Sequence, residues 1–384
     1  MKKLKDFIKE LSFVKKLRTR KKVNYYGRRY ILPEKSVKRA ENDMAYRKLA
    51  VARQTKKWPE KTSVLTGKIR EVLAAGYYEG DSEELAADML FCYFAYGFSP
   101  NEYLCYELNK KSVQERRSFV SDRESVCYGY LMNDIDQMRV FRNKMQSYEK
   151  FKNYYKREAI SIAASQDKEK YLDFVKRHPV FVKKRVGESC GRSVELIDTN
   201  SADKEQLFES LILDGEMILE EQVIQTGVLK QLNGSSVNTV RCITLNTGKG
   251  IYTPFCFLKV GRKGAFVDNG GAGGILVGID SKSGTLNTDG VDEVNHCYST
   301  HPDSKVKFKG LQLPEWEQMI SVCREMALQI EKVRFIGWDM AYSDKGWVVI
   351  EGNALSEVIG PQATSKKGIR KELNNYITEM GVKM

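Results

Sequence analysis

Hydrophobic positions recur along this chain with two different periods. From about residue 35 to 128 they fall three and four apart, in SVKRAENDMAYRKLAVARQ (36–54), EKTSVLTGKIREVLAAG (60–76), DSEELAADMLFCYFAYG (81–97) and SPNEYLCYELNKKSVQERRSFV (99–120), the spacing of amphipathic helices. Asp81 or Ser82 and the pair Ser99-Pro100 stand where N-caps and a first helical proline belong. After about residue 157 short β-rich runs (PVFVKK, EMILEEQVI, VNTVRCITLN, IYTPFCFLKV, RFIGWDMAY) alternate with helical KEQLFESLILD and EWEQMISVCREMALQIEKV. The pattern predicts a helical N-terminal domain followed by an α+β body.

Within that body GWDMAYSDKGWVVIEGN (337–353) reads as two strands joined by a tight turn. A three-residue loop of Asp344, Lys345 and Gly346 sets Ser343 opposite Trp347, and counting outward brings Asp339 to face Glu351. Facing carboxylates destabilise a sheet. The pair therefore calls for a compensating charge.

Composition narrows the class. With 42% hydrophobic and 29% charged residues the chain is an ordinary globular one, and it holds no apolar run of about 18 residues that would span a membrane. A cytosolic location is expected. Eight cysteines without a C-x-x-C pair and only three histidines indicate neither a disulfide framework nor a zinc site, so the thiols are expected to be reduced and mostly in the core. The net charge of +13 is concentrated: residues 1–30 carry twelve Lys/Arg against Asp6 and Glu10, which leaves the remainder almost neutral. Without aromatic-basic interleaving, nucleic acid is not an expected partner. Leu4, Phe7, Ile8, Leu11, Val14 and Leu17 fall at helical spacing beside the lysines. Residues 1–22 thus read either as an interfacial helix on the inner face of an anionic membrane or as a helix docking on its own helical domain.

Two further segments carry chemistry. PVFVKKRVGESCGRSVELI (179–197) is strand, glycine-bounded loop, strand, with Lys183 or Lys184 just before a turn whose Gly187, Ser189, Gly191 and Ser193 can offer backbone N–H groups to phosphate oxygens. It matches neither the P-loop nor the dinucleotide fingerprint. EMILEEQVI (216–224) can hydrogen-bond an adenine edge, a carboxylate taking the exocyclic amine.

Lys144 in FRNK, Lys183 before the glycine loop, Glu220 to Val223, then Asp339 with Glu351 and Asn353, in this order, resemble the ATP-grasp superfamily. SVNTVR (236–241), FLKVGRKGAFVDNGGAGGILVGID (257–280), HPDSKVKFKGLQLP (301–314) and GWDMAYSDKGWVVIEGN are similar to the sugar-transfer-associated ATP-grasp family, over residues 90–370 or so. The resemblance implies an α+β ATP-grasp fold in which two subdomains clasp ATP. It sets a basic segment at 1–30, a helical domain at 31–135 and a catalytic domain at 136–384, divided into a nucleotide lid (136–225) and a metal and substrate subdomain (226–384). It also implies Mg²⁺, two ions, held between the ATP phosphates and the triad Asp339, Glu351 and Asn353, which would answer the repulsion in the hairpin.

By the same resemblance Lys144 and Lys183 contact phosphates or the adenine edge, and Ser189, Cys190, Gly191 and Arg192 form a flap over the phosphates. Glu220, beside Glu221, accepts from the adenine amine, with the backbone of Gln222 or Val223 holding the ring. Lys259, Arg262 and Asn269 meet the γ-phosphate and activated substrate, Arg241 is an oxyanion clamp, and Gly273 and Gly274 permit close backbone approach. Two departures stand out. Gln225, Thr226 and Gly227 replace the expected ribose acid, and Lys259 stands where an arginine is expected, which gives up bidentate anion recognition. His301-Pro302 reads as a loop element. The implied reaction is ATP-dependent ligation of a carboxylate to an amine acceptor through an acyl phosphate, in surface-polysaccharide assembly. A kinase of the same architecture and a non-catalytic nucleotide-binding module are the alternatives.

Overall fold

The computed structural model describes residues 12–186, 194–262, 264, 265, 268 and 273–382. Eight α-helices fill the first third of the described chain, from Ser12–Arg28 to Asp122–Met132. Two of the expected caps are made: Asp81 accepts from the Glu83 and Glu84 N–H groups, and Ser99 closes a capping box with Glu102 ahead of Pro100. Two expected helices are broken by stronger local signals. The run 36–54 divides at Asp43, whose side chain accepts from the Tyr46 N–H and opens Met44–Lys57. The run 99–120 divides into Pro100–Cys105, a 3₁₀ turn and Val113–Ser118, because Ser112 builds its own capping box with Glu115. Side chains that satisfy the free N–H groups of a new helix start win over continued periodicity.

Two antiparallel sheets follow. The smaller contains β1 (Ala159–Ile162), β2 (Val180–Arg185), β3 (Glu195–Asp198) and β4 (Met217–Glu221) in the order β1-β4-β2-β3. Alternate residues Ile162, Phe181, Met217 and Leu219 turn to one face, where Tyr171, Phe174, Phe208 and Leu211 of two helices bury them. The larger sheet contains β5 (Thr239–Asn246), β6 (Ile251–Val260), β7 (Ile275–Ile279), β8 (Leu286–Val291), β9 (Cys297–Tyr298), β10 (Phe335–Ser343) and β11 (Gly346–Asn353), ordered β11-β10-β5-β6-β7-β8-β9. The helix Trp316–Leu328 packs Met319, Cys323 and Met326 with Val240, Cys242, Leu258 and Met340 of one face. On the opposite face Phe257, Leu276 and Val291 share a core with the helical N-terminal region and Ala363. This second core leaves the β10–β11 end of that face to polar side chains.

The hairpin differs from its expected register in two places that cancel. Ser343 pairs with Gly346, not Trp347, with Gly346 at φ +75°. A bulge then leaves Ile350 without a partner, because Met340 pairs with Val349 while Asp339 pairs with Glu351. One residue lost at the turn is regained at the bulge, and the facing carboxylates stand.

The N-terminal helix Ser12–Arg28 docks on its own chain. Lys15 Nζ lies 3.2 Å from Asp134, Arg18 donates to Asp136 at 2.8 Å, and Tyr26 stacks on Tyr130. Lys15 and Arg18 are thus engaged, while Phe13, Leu17 and the basic residues Lys16, Arg20, Lys21 and Lys22 are exposed. Leu4, Phe7, Ile8 and Leu11 lie outside the described residues. No described helix is long and apolar enough to cross a membrane. The described cysteines are free, and all but Cys297 are buried.

Candidate active site

Cross-strand register brings five of the singled-out residues to one face of the larger sheet. Asn353 pairs with Gly337, Glu351 with Asp339, Asp339 with Arg241 across the next interface, and Lys259 with Thr239 one strand further. Arg241 reaches Asp339 bidentately, Nε to Oδ1 at 2.6 Å and Nη2 to Oδ2 at 2.9 Å. Its side chain passes so close to Gly337 that a Cβ there would lie 2.8 Å from Arg241 Cδ, so glycine is required at that position. Lys259 Nζ stands 3.2 Å from the second Asp339 oxygen. Burial alone would raise the Asp339 pKa, but Arg241 and Lys259 hold it down to about 2. Protein cations therefore compensate Asp339 in the hairpin. Glu351 and Asn353 are half-buried, and no described residue hydrogen-bonds or ion-pairs with either side chain. They present oxygen donors beside a carboxylate whose charge is already partly answered.

A residue that sequence inspection missed extends this cluster. Asp268 is buried, accepts from the Thr239 backbone and hydroxyl, and lies 3.9 Å from Lys259 Nζ. Burial pushes its pKa up against the pull of Lys259. The neighbouring Asn269, singled out in its place, lies outside the described residues.

The smaller sheet holds a second buried carboxylate. Glu220 takes Arg157 Nε and Nη2 on Oε2 at 3.0 and 2.8 Å, and Lys184 Nζ on Oε1 at 2.8 Å. Burial would raise its pKa, yet Lys184 and Arg157 hold it at about 2. With three N–H donors already on its oxygens, Glu220 is chiefly a charge tie; an adenine amine would meet it only as a fourth partner. Lys184, not Lys183, shares its face, since Val182 pairs with Glu220 and side chains alternate along β2. Lys183 sits on the helix-covered face and pairs with Glu195 at 3.0 Å.

Arg157, also absent from the sequence reading, spans the two sheets. Its Nη1 donates to the Val349 carbonyl at 2.7 Å, beside the bulge that aims Glu351. A second tie runs parallel: Lys345 Nζ reaches Glu221 at 2.6 Å and the Lys156 carbonyl at 3.0 Å, while Lys156 Nζ returns to the Lys345 carbonyl. Burial would raise the Glu221 pKa, but Lys345 brings it below the ordinary carboxylate value. Arg157 and Lys345 carry no spacing signal, because their carboxylate partners lie 63 and 124 residues away.

The remaining singled-out residues are more scattered. Gln222 and Val223 are half-buried in the segment leaving β4, which runs beside the hairpin tip through Thr226 N–H to Tyr342 O. Gln225, at the unassigned ribose position, is buried and bonds Asn238 through both ends of its amide. Lys144 opens the helix Lys144–Tyr155, which packs along β11. Arg262 is not joined to the Asp339 cluster by any described contact. Its guanidinium bonds Tyr298, the Gly273 carbonyl and, at 2.9 Å, Asp292. Gly273 has φ +84° and Gly274 is buried. His301 is a loop element as expected, buried, with Nε2 on the Gly261 carbonyl and Nδ1 accepting from Asp303 and Ser304 N–H. Ser189, Cys190, Gly191 and Arg192 lie outside the described residues.

Two antiparallel, helix-covered sheets tied together beside an acidic hairpin define an ATP-grasp fold preceded by a helical region. The profile of the sugar-transfer associated ATP-grasp family matches residues 125–377, more than half of the chain, and the chain belongs to that family. The chain is also similar, at low identity, to several solved structures. The ATP-grasp ligase PsnB with a minimal precursor has 11% identity and a TM-score of 0.41, over 67% of this chain and 70% of that one. D-alanine–D-alanine ligase from Bacillus anthracis with ATP has 12% and 0.41, over 65% and 68%. D-alanyl-alanine synthetase A from Vibrio cholerae has 10% and 0.40, over 64% and 66%. No curated protein matches the chain.

Proposed function

We propose that this chain is an ATP-dependent ligase that activates a carboxylate as an acyl phosphate and passes it to an amine. The observation that carries the reading is the single sheet face bearing Asp339, Glu351, Asn353, Arg241 and Lys259. Hard oxygen donors at two strand positions opposite a third suit Mg²⁺, and the side chains of Glu351 and Asn353, without partners among the described residues, support that fit. Asp339, Glu351 and Asn353 would hold the metal, which when bound neutralises charge on the phosphates. Arg241 and Lys259, held on this face by Asp339, offer cationic N–H groups where charge develops on the transferring phosphoryl group. Lys184 reaches toward nucleotide phosphates from the lid, kept in place by Glu220. The backbone at Gln222 and Val223 meets the adenine edge.

Positioning and electrostatic stabilisation would supply most of the rate enhancement. The family association favours a role in surface-polysaccharide assembly at the cytosolic side of the membrane, with a small-molecule or glycan acid. The test is incubation of the full chain with Mg-ATP and panels of acids, with and without amines. Amide formed together with ADP and phosphate supports the reading; a stable phosphate ester turns it into a kinase, and ATP binding without ADP from any panel removes catalysis.

A further inference from the structure

A cavity of about 670 Å³ lies where the helical region meets β9, away from the Asp339 cluster. Its walls are fixed from both sides. Tyr77 N–H bonds the Val294 carbonyl at 2.9 Å, Asn101 reaches the Glu293 carbonyl at 2.9 Å, and Lys366 joins the Cys105 carbonyl to Asn295. Three tyrosines, Tyr77, Tyr78 and Tyr298, offer ring faces with hydroxyl tips. Glu79 and Glu107 outnumber the one lysine of the lining, Lys110, which stands 3.4 and 3.7 Å from them. His296 leans on Asp292. Aromatic faces with surplus carboxylate charge favour a cation that also carries hydroxyl groups.

The cavity adjoins Arg262, which no described contact joins to the Asp339 cluster. Tyr298 is at once a wall of the cavity and a partner of Arg262, and Asp292 receives both side chains, Tyr298 at 3.0 Å and Arg262 at 2.9 Å. The cavity is not at the triad, however. Lys259 pairs with Leu276, Leu276 with Val291 and Val291 with Cys297 of the cavity wall. Three strand spacings of about 4.8 Å make about 14 Å, the reach of about four extended residues. Leu276 and Val291 on that path are buried under the helical region, so the cavity stands apart from the triad.

We propose that this cavity is a binding site, separate from the triad, for a hydroxyl-rich, amine-bearing unit, the chemistry of an amino sugar. The binding does not depend on the ligase reading. Cys297 reports on it, being exposed where the other described cysteines are buried and part of the lining. The experiment is alkylation of the full chain with iodoacetamide, followed at the Cys297 peptide by mass spectrometry, with glucosamine, its β-linked dimer, N-acetylglucosamine or glucose present.

Glucosamine should slow Cys297 labelling severalfold and the dimer at least as well, whereas N-acetylglucosamine and glucose should leave it unchanged. Glu79→Gln with Glu107→Gln should cancel the protection without moving the melting temperature. Equal protection by N-acetylglucosamine, no protection by either amine, or full protection in the double variant overturns the proposal. Protection that persists although no acid and amine pair drives ADP release supports the subsite and overturns the ligase reading alone. Amide formation from an amino-sugar acceptor while Cys297 stays unprotected does the reverse.

Discussion

Glu220 and Asp339 are built alike and sit in different company. Each is a buried carboxylate gripped by one arginine and one lysine, and each is held near pKa 2 against its own burial. Glu220 has both oxygens occupied, and its arginine goes on to a carbonyl of the other sheet. Asp339 has beside it a carboxylate and an amide without described partners. The same device closes a structure in one place and leaves ligating oxygens in the other. What separates a tie from a site is what the neighbouring side chains still lack.

The comparison breaks most visibly at Arg157. Arg157→Met strands Glu220 and the Val349 carbonyl, and removing one partner of a buried pair costs about 3–5 kcal/mol; a urea midpoint that barely moves would mean that Lys184 alone suffices. Asp339→Asn comes next. Repulsion across the hairpin alone predicts a variant as stable as the parent, but the loss of two charge-assisted contacts predicts a loss of about 1.5–3 kcal/mol, read from the same urea transition. Acid should act on both centres together. Their folded pKa values of about 2 lie below the unfolded ones near 4, so their contribution is complete above about pH 4 and is lost as pH falls toward 2. Each supplies about 3 kcal/mol over that window, and Asp339→Asn should flatten the acid limb of stability by its share.

The lysines of β2 give a smaller and sharper contrast. Lys184→Ala should raise KM for ATP well above its parent value, whereas Lys183→Ala, which loses only a pair with the exposed Glu195, should shift stability by less than about 1 kcal/mol and leave KM for ATP nearly unchanged. Equal kinetic effects would return Lys183 to the nucleotide. Glu351→Gln should change stability least, within about 0.5 kcal/mol, and yet abolish Mg²⁺-dependent turnover. A large loss of stability there would make the residue structural.

Much of this was legible in the sequence because local rules write it locally. The caps at Asp81 and Ser99 and the facing of Asp339 and Glu351 follow from short-range periodicity. The hairpin count reached the right pair through a compensating bulge at Ile350 that no spacing announced. The choice between Lys183 and Lys184 depends on which face of β2 the helices cover, a tertiary fact. The ties made by Arg157 and Lys345 were invisible for a related reason: a cation whose acidic partner lies far along the chain looks like any surface charge. The family resemblance supplied the order of the motifs, and packing supplied the ties between them.

The crossed lysines at the hairpin tip also bear on how the smaller sheet comes apart. Its core is a handful of side chains between four short strands and two helices, too little to be a robust folding unit alone. Arg157, Lys156 and Lys345 fasten only its β1–β4 side to the larger sheet. Amide hydrogen exchange should therefore be graded across it, fast at β3, slower at β2 and slowest at β4, so that this sheet unravels from its free edge as a sub-global opening while the hairpin stays protected.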